Sequence, residues 1–255
     1  MNETFIFIPL ILGWLSGWLV NYLADTVPVT RKLSRPACPH CQTPFGWVDY
    51  LLFRNCTKCG ERRKIRTFVI QALLTIAAVL LWMFPRSGFP FILAFILFIY
   101  LSLVFVTDLE HRLILHPVSL VGAILAFLIG VYLRSGTSFL HGITSTLIGG
   151  AVGFGIMLVF YFAGEWYVRY MSRKRGMPAD EVALGFGDVN LAGILGLLLG
   201  WPGISAGLLF TVLAGGLISL LIIVGMLITK KYKAFTAIPY APFLILSAFY
   251  LLYLI

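Results

Sequence analysis

The sequence predicts an all-helical protein that crosses a membrane about eight times and carries a small cysteine-rich lobe on one side. Of its 255 residues, 60% are hydrophobic and only 11% are charged, whereas soluble domains carry roughly 25% charged residues. Its mean hydropathy is +0.97. The apolar residues form long runs, and a helix needs about 20 of them to cross a bilayer.

Short polar segments separate the predicted spans. The spans cover residues 5–24, 67–84, 90–107, 117–133, 143–164, 189–201, 204–228 and 239–255. The sixth is short for a helix that crosses a bilayer alone. The first lacks the basic front end and the cleavage site of a removable signal peptide, so we expect it to remain in the protein. The domains expected are therefore helix one (1–24), a cytosolic lobe (25–66) and a membrane domain (67–255) that helix one completes.

The distribution of positive charge predicts the orientation in the membrane. The net charge is +9, and all but two of the 19 Lys and Arg residues, Arg86 and Arg134, lie in alternate loops. Such a bias places those loops in the cytosol: residues 25–66, 108–116, 165–184 and 229–238, with both termini outside. This pattern favours contacts with anionic membrane lipids over nucleic-acid binding.

All four cysteines lie in the predicted cytosolic lobe as two Cys-x-x-Cys pairs. They are Cys38, Cys41, Cys56 and Cys59, with 14 residues between the pairs. Two such pairs complete a tetrahedral zinc site with no open position. Because the cytosol is reducing, disulfides are disfavoured. We therefore expect structural zinc on these thiolates and a solvated His40; redox dithiols and unliganded thiols remain the alternatives.

Two aspartates stand at span ends on the same predicted side of the membrane. Asp108 follows the third span and Asp188 precedes the sixth. A carboxylate at the edge of the hydrocarbon is costly and usually functional, and a close pair that shares one proton can activate water for peptide hydrolysis. Gly185 and Gly187 leave room for an extended peptide backbone. The alternatives are a helix cap at Asp188 and an ion pair between Asp108 and Arg112.

Five short motifs follow one another along most of the chain. In order they are Gly13–Asn21 with Pro28, the paired cysteines, Asp108-Leu109-Glu110-His111-Arg112, Leu184-Gly185-Phe186-Gly187-Asp188-Val189 and Ile238-Pro239-Tyr240-Ala241-Pro242-Phe243. Together they resemble the type 4 prepilin peptidase family, the GxGD membrane aspartic proteases. In this resemblance, Tyr240 and Ala241 occupy the centre of a motif that reads Pro-Phe-Gly-Pro-Phe in the family.

The resemblance implies an aspartic endopeptidase of the bacterial inner membrane, with its active site facing the cytosol. Such an enzyme removes the leader peptide of type IV prepilins or type II secretion pseudopilins. It also N-methylates the new amino terminus with S-adenosylmethionine. By motif match, Asp108 and Asp188 are the catalytic residues.

Three positions depart from the family pattern. Gln71 stands where a glutamate is usual, and Arg54 or Asn55 replaces a glycine before the second cysteine pair. Both lie in the region associated with methylation. Asn190 stands where a lysine often follows the second catalytic aspartate. None of these changes removes an acid of the expected dyad.

Two other classes of function remain open from the sequence. One is a catalytically silent membrane scaffold or transporter with a zinc lobe, which would keep its function when the aspartates become asparagines. The other is a GxGD protease of different substrate range, such as a general signal-peptide or presenilin-like enzyme. The zinc lobe argues against the latter, and a substrate panel would separate them.

Overall fold

The computed structural model describes residues 5–38, 40–86, 88–136, 138–175, 184–228 and 240–253. Within these ranges the chain forms nine helices and no strand beyond one isolated bridge between Ala37 and Pro44. The helices are α1 (Phe7–Thr30), α2 (Trp47–Leu51), α3 (Ile65–Met83), α4 (Phe91–His111), α5 (His116–Arg134), α6 (Phe139–Arg175), α7 (Phe186–Leu199), α8 (Gly203–Ile228) and α9 (Ala241–Tyr253). The predicted fold class is confirmed.

Each predicted span corresponds to one long or medium helix, and α2 is an additional short helix in the cysteine lobe. Six helices are long and apolar enough to cross a membrane: α1, α3, α4, α5, α6 and α8. Two apolar helices, α7 and α9, are shorter. The chain is therefore a multi-pass membrane protein. The predicted loop at 229–238 and residues 176–183 of the predicted loop at 165–184 lie outside the described residues.

The chain divides into two compact units, Met1–Thr107 and Asp108–Ile255. In the first unit, α1 packs along α3. Small residues allow this close approach, because a Cβ on Gly13 would lie 2.6 Å from Thr75 Cα. Helix α1 continues past its predicted end, through Pro28, and stops where Arg31 adopts a left-handed conformation.

In the second unit, α7 is the central helix and packs against α5, α6, α8 and α9. Its side chains Val189, Leu191, Ala192 and Leu198 are completely buried. Helices α6 and α7 meet backbone to backbone, since a Cβ on Gly149 would collide with the carbonyl of Gly196, and the reverse also holds. Close approach through small residues is the usual way membrane helices pack.

This contact gives a stability prediction. Gly196→Ala would place a methyl group against the Gly149 carbonyl, so we expect it to destabilise the protein by about 1–3 kcal/mol, as overpacking of a tight core does. Gly155→Ala is the control, since a Cβ there meets no atom within 4 Å. Thermal unfolding in detergent measures both. Equal melting temperatures for the two variants would contradict the role of this contact.

A half-buried arginine binds the carboxyl-terminal end of α7. Arg134, the last residue of α5, donates hydrogen bonds to the Gly130 carbonyl at 2.8 Å, to the Thr146 hydroxyl at 3.2 Å and to the Leu198 carbonyl. The carbonyls at a helix carboxyl terminus carry partial negative charge and lack helical partners. Arg134 therefore joins α5, α6 and α7, and no acidic side chain in the described part of the chain pairs with it.

Helix α6 is too long to lie entirely within a bilayer. Its 37 residues extend about 55 Å, whereas the hydrocarbon core is about 30 Å thick. The helix continues to Arg175, beyond the predicted end of the fifth span at residue 164. Polar pairs mark this extension: Glu165 accepts hydrogen bonds from Tyr161 and Arg169, both at 3.0 Å.

Candidate functional site

The four cysteines come together in the lobe between α1 and α3. Their sulfur atoms all lie within 4.8 Å of one another, and Cys38–Cys59 and Cys41–Cys56 are each separated by 3.6 Å. Zinc–sulfur bonds of about 2.3 Å in a tetrahedron place the sulfurs roughly 3.8 Å apart. The cluster therefore fits a zinc ion with four thiolate ligands.

The two Cys-x-x-Cys turns share one backbone conformation. The carbonyls of Cys38 and Cys56 each accept a hydrogen bond, at 2.9 Å, from the backbone N–H four residues on. Those residues, Gln42 and Gly60, both have positive φ, at 58° and 71°. Each turn therefore presents two thiols to the same point.

The thiol of Cys41 is set up to ionise. Its sulfur lies 3.2 Å from the Thr43 hydroxyl oxygen, and the hydroxyl and backbone of Thr43 lower the pKa of Cys41 to about 6. Thiolate is the form that binds zinc. His40 is exposed and is not part of the cluster, in agreement with a four-thiolate site.

A polar contact attaches the lobe to α1. Asp25 of α1 accepts hydrogen bonds from the Tyr50 hydroxyl at 2.7 Å and from Arg66. Burial, together with the adjacent Asp25 carboxylate, raises the pKa of Tyr50, so the phenol remains a donor. The Arg63 guanidinium lies over the rings of Phe45 and Tyr50 at 4.1 and 4.3 Å. The sequence reasoning did not identify this contact, because its partners are far apart in the chain.

The two aspartates lie in the second unit, each near a helix end. Asp108 is in the last turn of α4 and Asp188 in the first turn of α7. Both are buried, at 5% and 9% exposure, and they are close enough for their carboxylates to interact electrostatically. Asp108 Oδ2 is buried and has no hydrogen-bond partner among the residues that the structure describes. A proton shared with the second acid, or a water molecule, would satisfy it.

The two acids also have local neighbours. Gly185 is the N-cap of α7, and Asp188 lies in the first turn. Among the described residues, no ion pair within 4 Å joins Asp108 to Arg112, but the two side chains interact electrostatically, and the Arg112 backbone N–H donates to the Asp108 carbonyl at 2.8 Å. Glu110 and His111 are exposed and lie 3.9 Å apart.

The two glycines beside Asp188 have different surroundings. A Cβ on Gly185 would lie 3.5 Å from Asp188 Oδ2, and Gly185 is exposed. Gly187 packs against Ile114, whose Cβ would lie 3.0 Å from an added Cβ. Gly185 therefore leaves the approach to the carboxylate open, whereas Gly187 permits close packing.

Tyr240 lies immediately before α9, which packs against α7, the helix that carries Asp188. Its side chain is half-buried. The sequence placed Tyr240 in a motif but assigned it no role. The sequence did contain one indication of a role for Tyr240: it carries a hydroxyl group at a position where the related motif has phenylalanine.

Asn190 does not join this group. It lines an open cavity of about 760 Å³ between α5, α6 and α7, and Asp188 is not among the lining residues. His116 and Ser119 line the same cavity, and most of its other side chains are apolar. The amide of Asn190 thus lies on a different face of α7 from the second aspartate.

Gln71 has a structural environment between α1 and α3. Its side-chain amide donates to the Trp14 carbonyl at 2.6 Å, and the side chain is 4% exposed. A Cβ on Gly17 would lie 2.8 Å from this amide. Helix α3 has no acidic residue. The chain therefore lacks, at this position, a carboxylate that could face the positive sulfonium of S-adenosylmethionine.

Comparison with known proteins connects these features to one family. Residues 95–224 match the Type IV leader peptidase family. The chain is 24% identical over 234 residues to a prepilin leader peptidase/N-methyltransferase of Aeromonas hydrophila, covering 88% of this chain and 72% of that protein. A protein of the same name from Myxococcus xanthus (strain DK1622) is 25% identical over 229 residues, covering 84% and 62%. No solved structure matches the chain.

The family match extends over half of the chain and includes both Asp108 and Asp188. The relatives extend the similarity to most of the remaining sequence. The family expected from the five motifs is confirmed. The chain is a peptidase that belongs to the Type IV leader peptidase family.

Proposed function

We propose that the chain removes the leader peptide of type IV prepilins or type II secretion pseudopilins, with Asp108 and Asp188 as its catalytic dyad. The observation that carries this proposal is the pair of buried, electrostatically interacting carboxyl groups within the family region. The names of the relatives, prepilin leader peptidases, support the substrate class. The charge bias of the loops supports cleavage at the cytosolic face of the inner membrane.

The dyad would hydrolyse the peptide without a covalent intermediate. The ionised carboxylate takes a proton from water as the oxygen attacks the scissile carbonyl. The protonated carboxyl polarises that carbonyl and later supplies the proton that the leaving amine needs. Two close carboxyl groups divide these roles because they cannot both ionise easily. The unpartnered Asp108 Oδ2 is a place for the shared proton or the water.

The two parts of the substrate would lie on opposite sides of the aspartates, one in the cytosol and one in the membrane. The basic leader would remain in the cytosol, where the exposed Glu110 attracts it. Asp180 and Glu181 have the same expected role, but they lie outside the described residues. The apolar segment after the cut would remain among the membrane helices. The exposed Gly185 would admit the extended backbone next to Asp188.

One assay tests this proposal against its rivals. The purified protein, with its lipids, is incubated with a prepilin, a pseudopilin and an ordinary secretory signal peptide, and the product masses are measured. We expect cleavage of the first two at the leader junction. Cleavage of the signal peptide alone would favour a protease of different range, and no cleavage of any substrate would favour a scaffold or transporter.

Structural zinc would hold the lobe in place, with Cys38, Cys41, Cys56 and Cys59 as ligands. The fit of the four sulfur atoms to a tetrahedral ion supports this assignment. A closed four-thiolate site stabilises folding and leaves no position for catalysis. Zinc would therefore stabilise the lobe, and hydrolysis would remain the task of the aspartates.

Methyl transfer is the second candidate activity, and the names of the relatives favour it. The residues near Gln71 do not supply an acid for S-adenosylmethionine. We therefore expect the cleaved product to carry no added methyl group when S-adenosylmethionine is present. Mass spectrometry of the product measures this, and an active relative is the positive control. A methylated product would show that another acid, such as Glu61, serves or that none is needed.

A further inference from the structure

The short helix α2 in the cysteine lobe exposes an apolar surface, which we call the α2 apolar face. It consists of Trp47, Val48, Leu51 and Leu52, four positions that span an arc of about 140° around a helix. Trp47, Val48 and Leu52 are 47, 63 and 58% exposed. On the other side of α2, the Tyr50 hydroxyl donates to Asp25 of α1 at 2.7 Å. This contact holds α2 on α1 with the apolar face directed outward.

The chain just after α2 packs on two helices that are able to cross a membrane. The ring of Phe53 contacts the ring of Trp14 of α1, with centroids 6.0 Å apart, and the ring of Phe68 of α3, at 5.6 Å. Helices α1 and α3 are long and apolar enough to span a bilayer. Because Trp14 and Phe68 are exposed on these helices, they face lipid. Phe53 therefore lies on the lipid-facing surface of α1 and α3.

The contact between Asp25 and Arg66 marks the polar boundary of this surface, because charged groups avoid the hydrocarbon. Trp14 precedes Asp25 by eleven residues, which is about 16 Å along α1. Half of the hydrocarbon core is about 15 Å thick. The Phe53 ring, in contact with Trp14, therefore lies on the membrane side of Asp25, and this places the end of α2 at the membrane surface.

Basic side chains accompany the apolar face. Between residues 31 and 64 the chain has eight Lys or Arg residues and only two acids, Asp49 and Glu61. Six of the basic residues are exposed: Arg31, Lys32, Arg35, Arg54, Lys58 and Arg62. Basic clusters next to a membrane-spanning helix attract anionic lipid headgroups. This charge favours a lipid surface over a second copy of the same basic lobe as the occupant of the apolar face.

We propose that the α2 apolar face is immersed in the bilayer that α1 and α3 cross, where it contacts the acyl chains of anionic phospholipids while the basic side chains of the lobe contact their headgroups. Helices that lie in the membrane surface combine an apolar face with basic residues in this way. The lobe is then held by lipid as well as by α1. This inference is independent of the proposed peptidase activity.

Photo-crosslinking from the full-length protein tests this contact. Val48, Leu52 or Thr57 is replaced by benzoylphenylalanine, and the protein is irradiated in bilayers of phosphatidylcholine and phosphatidylglycerol. Intact-protein mass then identifies any attached lipid. We expect lipid adducts at residues 48 and 52, enriched in phosphatidylglycerol above its share of the bilayer. Thr57 is the matched control, because it is exposed in the second Cys-x-x-Cys turn, and it should give no lipid adduct.

A second measurement avoids the bulky probe. The part of the tryptophan emission that is missing from Trp47→Phe should be quenched by phospholipids with brominated acyl chains and not by iodide in the water. Quenching by iodide alone, or no lipid adduct at residues 48 and 52, overturns the proposal. Crosslinks from these residues to a second copy of the chain would assign the face to a protein contact instead. Adducts with the same lipid composition as the bilayer would overturn the selection of anionic lipid.

Discussion

Asp108→Asn and Asp188→Asn are each expected to abolish leader cleavage, with kcat/KM reduced by roughly 10²–10⁴-fold or to below detection. Asparagine has nearly the shape of aspartate, but it cannot take a proton from water or give one to the leaving amine. Both side chains are buried, and the isosteric change should preserve their packing. Cleavage of a prepilin by the purified variants, followed by product mass, measures the effect.

Two controls make this result specific to the dyad. Glu110→Gln removes an exposed carboxylate two residues from Asp108. It should raise KM, because the basic leader is attracted less strongly, and should leave kcat unchanged. Membrane insertion and zinc content of both asparagine variants should equal those of the wild type, which excludes misfolding. Cleavage at a near wild-type rate by either asparagine variant would eliminate the two-aspartate mechanism.

Cys38→Ser is expected to remove the metal from the lobe. Elemental analysis of the wild-type protein should give about one zinc per chain, as one closed four-thiolate site requires. The serine variant should hold much less, because zinc binding supplies about 10–16 kcal/mol in small zinc domains and a hydroxyl is a poor ligand. Residues 31–64 should then become sensitive to limited proteolysis, since so small a lobe has little core of its own.

His40→Ala is the matched control for this experiment. His40 lies within the same Cys-x-x-Cys turn but is exposed, so its removal should leave the zinc content unchanged. Equal zinc loss in both variants would show that His40 is a zinc ligand together with cysteine thiolates, and would contradict the four-thiolate site. Metal-free wild-type protein, or disulfides between these cysteines in native membranes, would refute the zinc assignment.

The helices were predictable because each one is determined by the composition of its own segment of the chain. A run of apolar residues cannot leave its backbone groups unpaired in lipid, so it forms a helix, and each predicted span became one. The ends were less predictable. Helix α1 passes through Pro28 and continues to Thr30, although proline usually marks a helix boundary. Neither the exact end nor the short helix α2 has a clear sequence signal.

The zinc site was predictable because the spacing of its cysteines in the sequence is typical of metal binding. Two Cys-x-x-Cys pairs have few other uses in a reducing compartment, and the four sulfurs do meet. The sequence placed Asp108 and Asp188 on one side at similar depth, and the structure brings them within electrostatic reach. Their catalytic roles remain a prediction for the asparagine variants to test.

Arg134 and Tyr240 could not be assigned from the sequence, because their partners are set by packing. Arg134 binds backbone carbonyls of α5 and α7. Because every residue has a backbone carbonyl, the sequence does not indicate which ones an arginine will bind. Tyr240 comes near the helix that carries Asp188 only because α9 packs on α7. Arg134 is one of only two basic residues outside the predicted cytosolic loops, and this was the one indication that it had a special role.

The contacts of Arg134 and the paired glycines determine how far α7 can travel along its axis. A slide of one residue is about 1.5 Å. It would separate Arg134 from the Leu198 carbonyl and move Gly196 away from Gly149, so that a neighbouring residue would bring a Cβ to a contact that has no room for one. The position of Asp188 relative to α5 and α6 is therefore fixed. With Asp188 in the proposed dyad, a peptide would have to bring its scissile bond to this position, so the length of the segment before the cut would select among substrates.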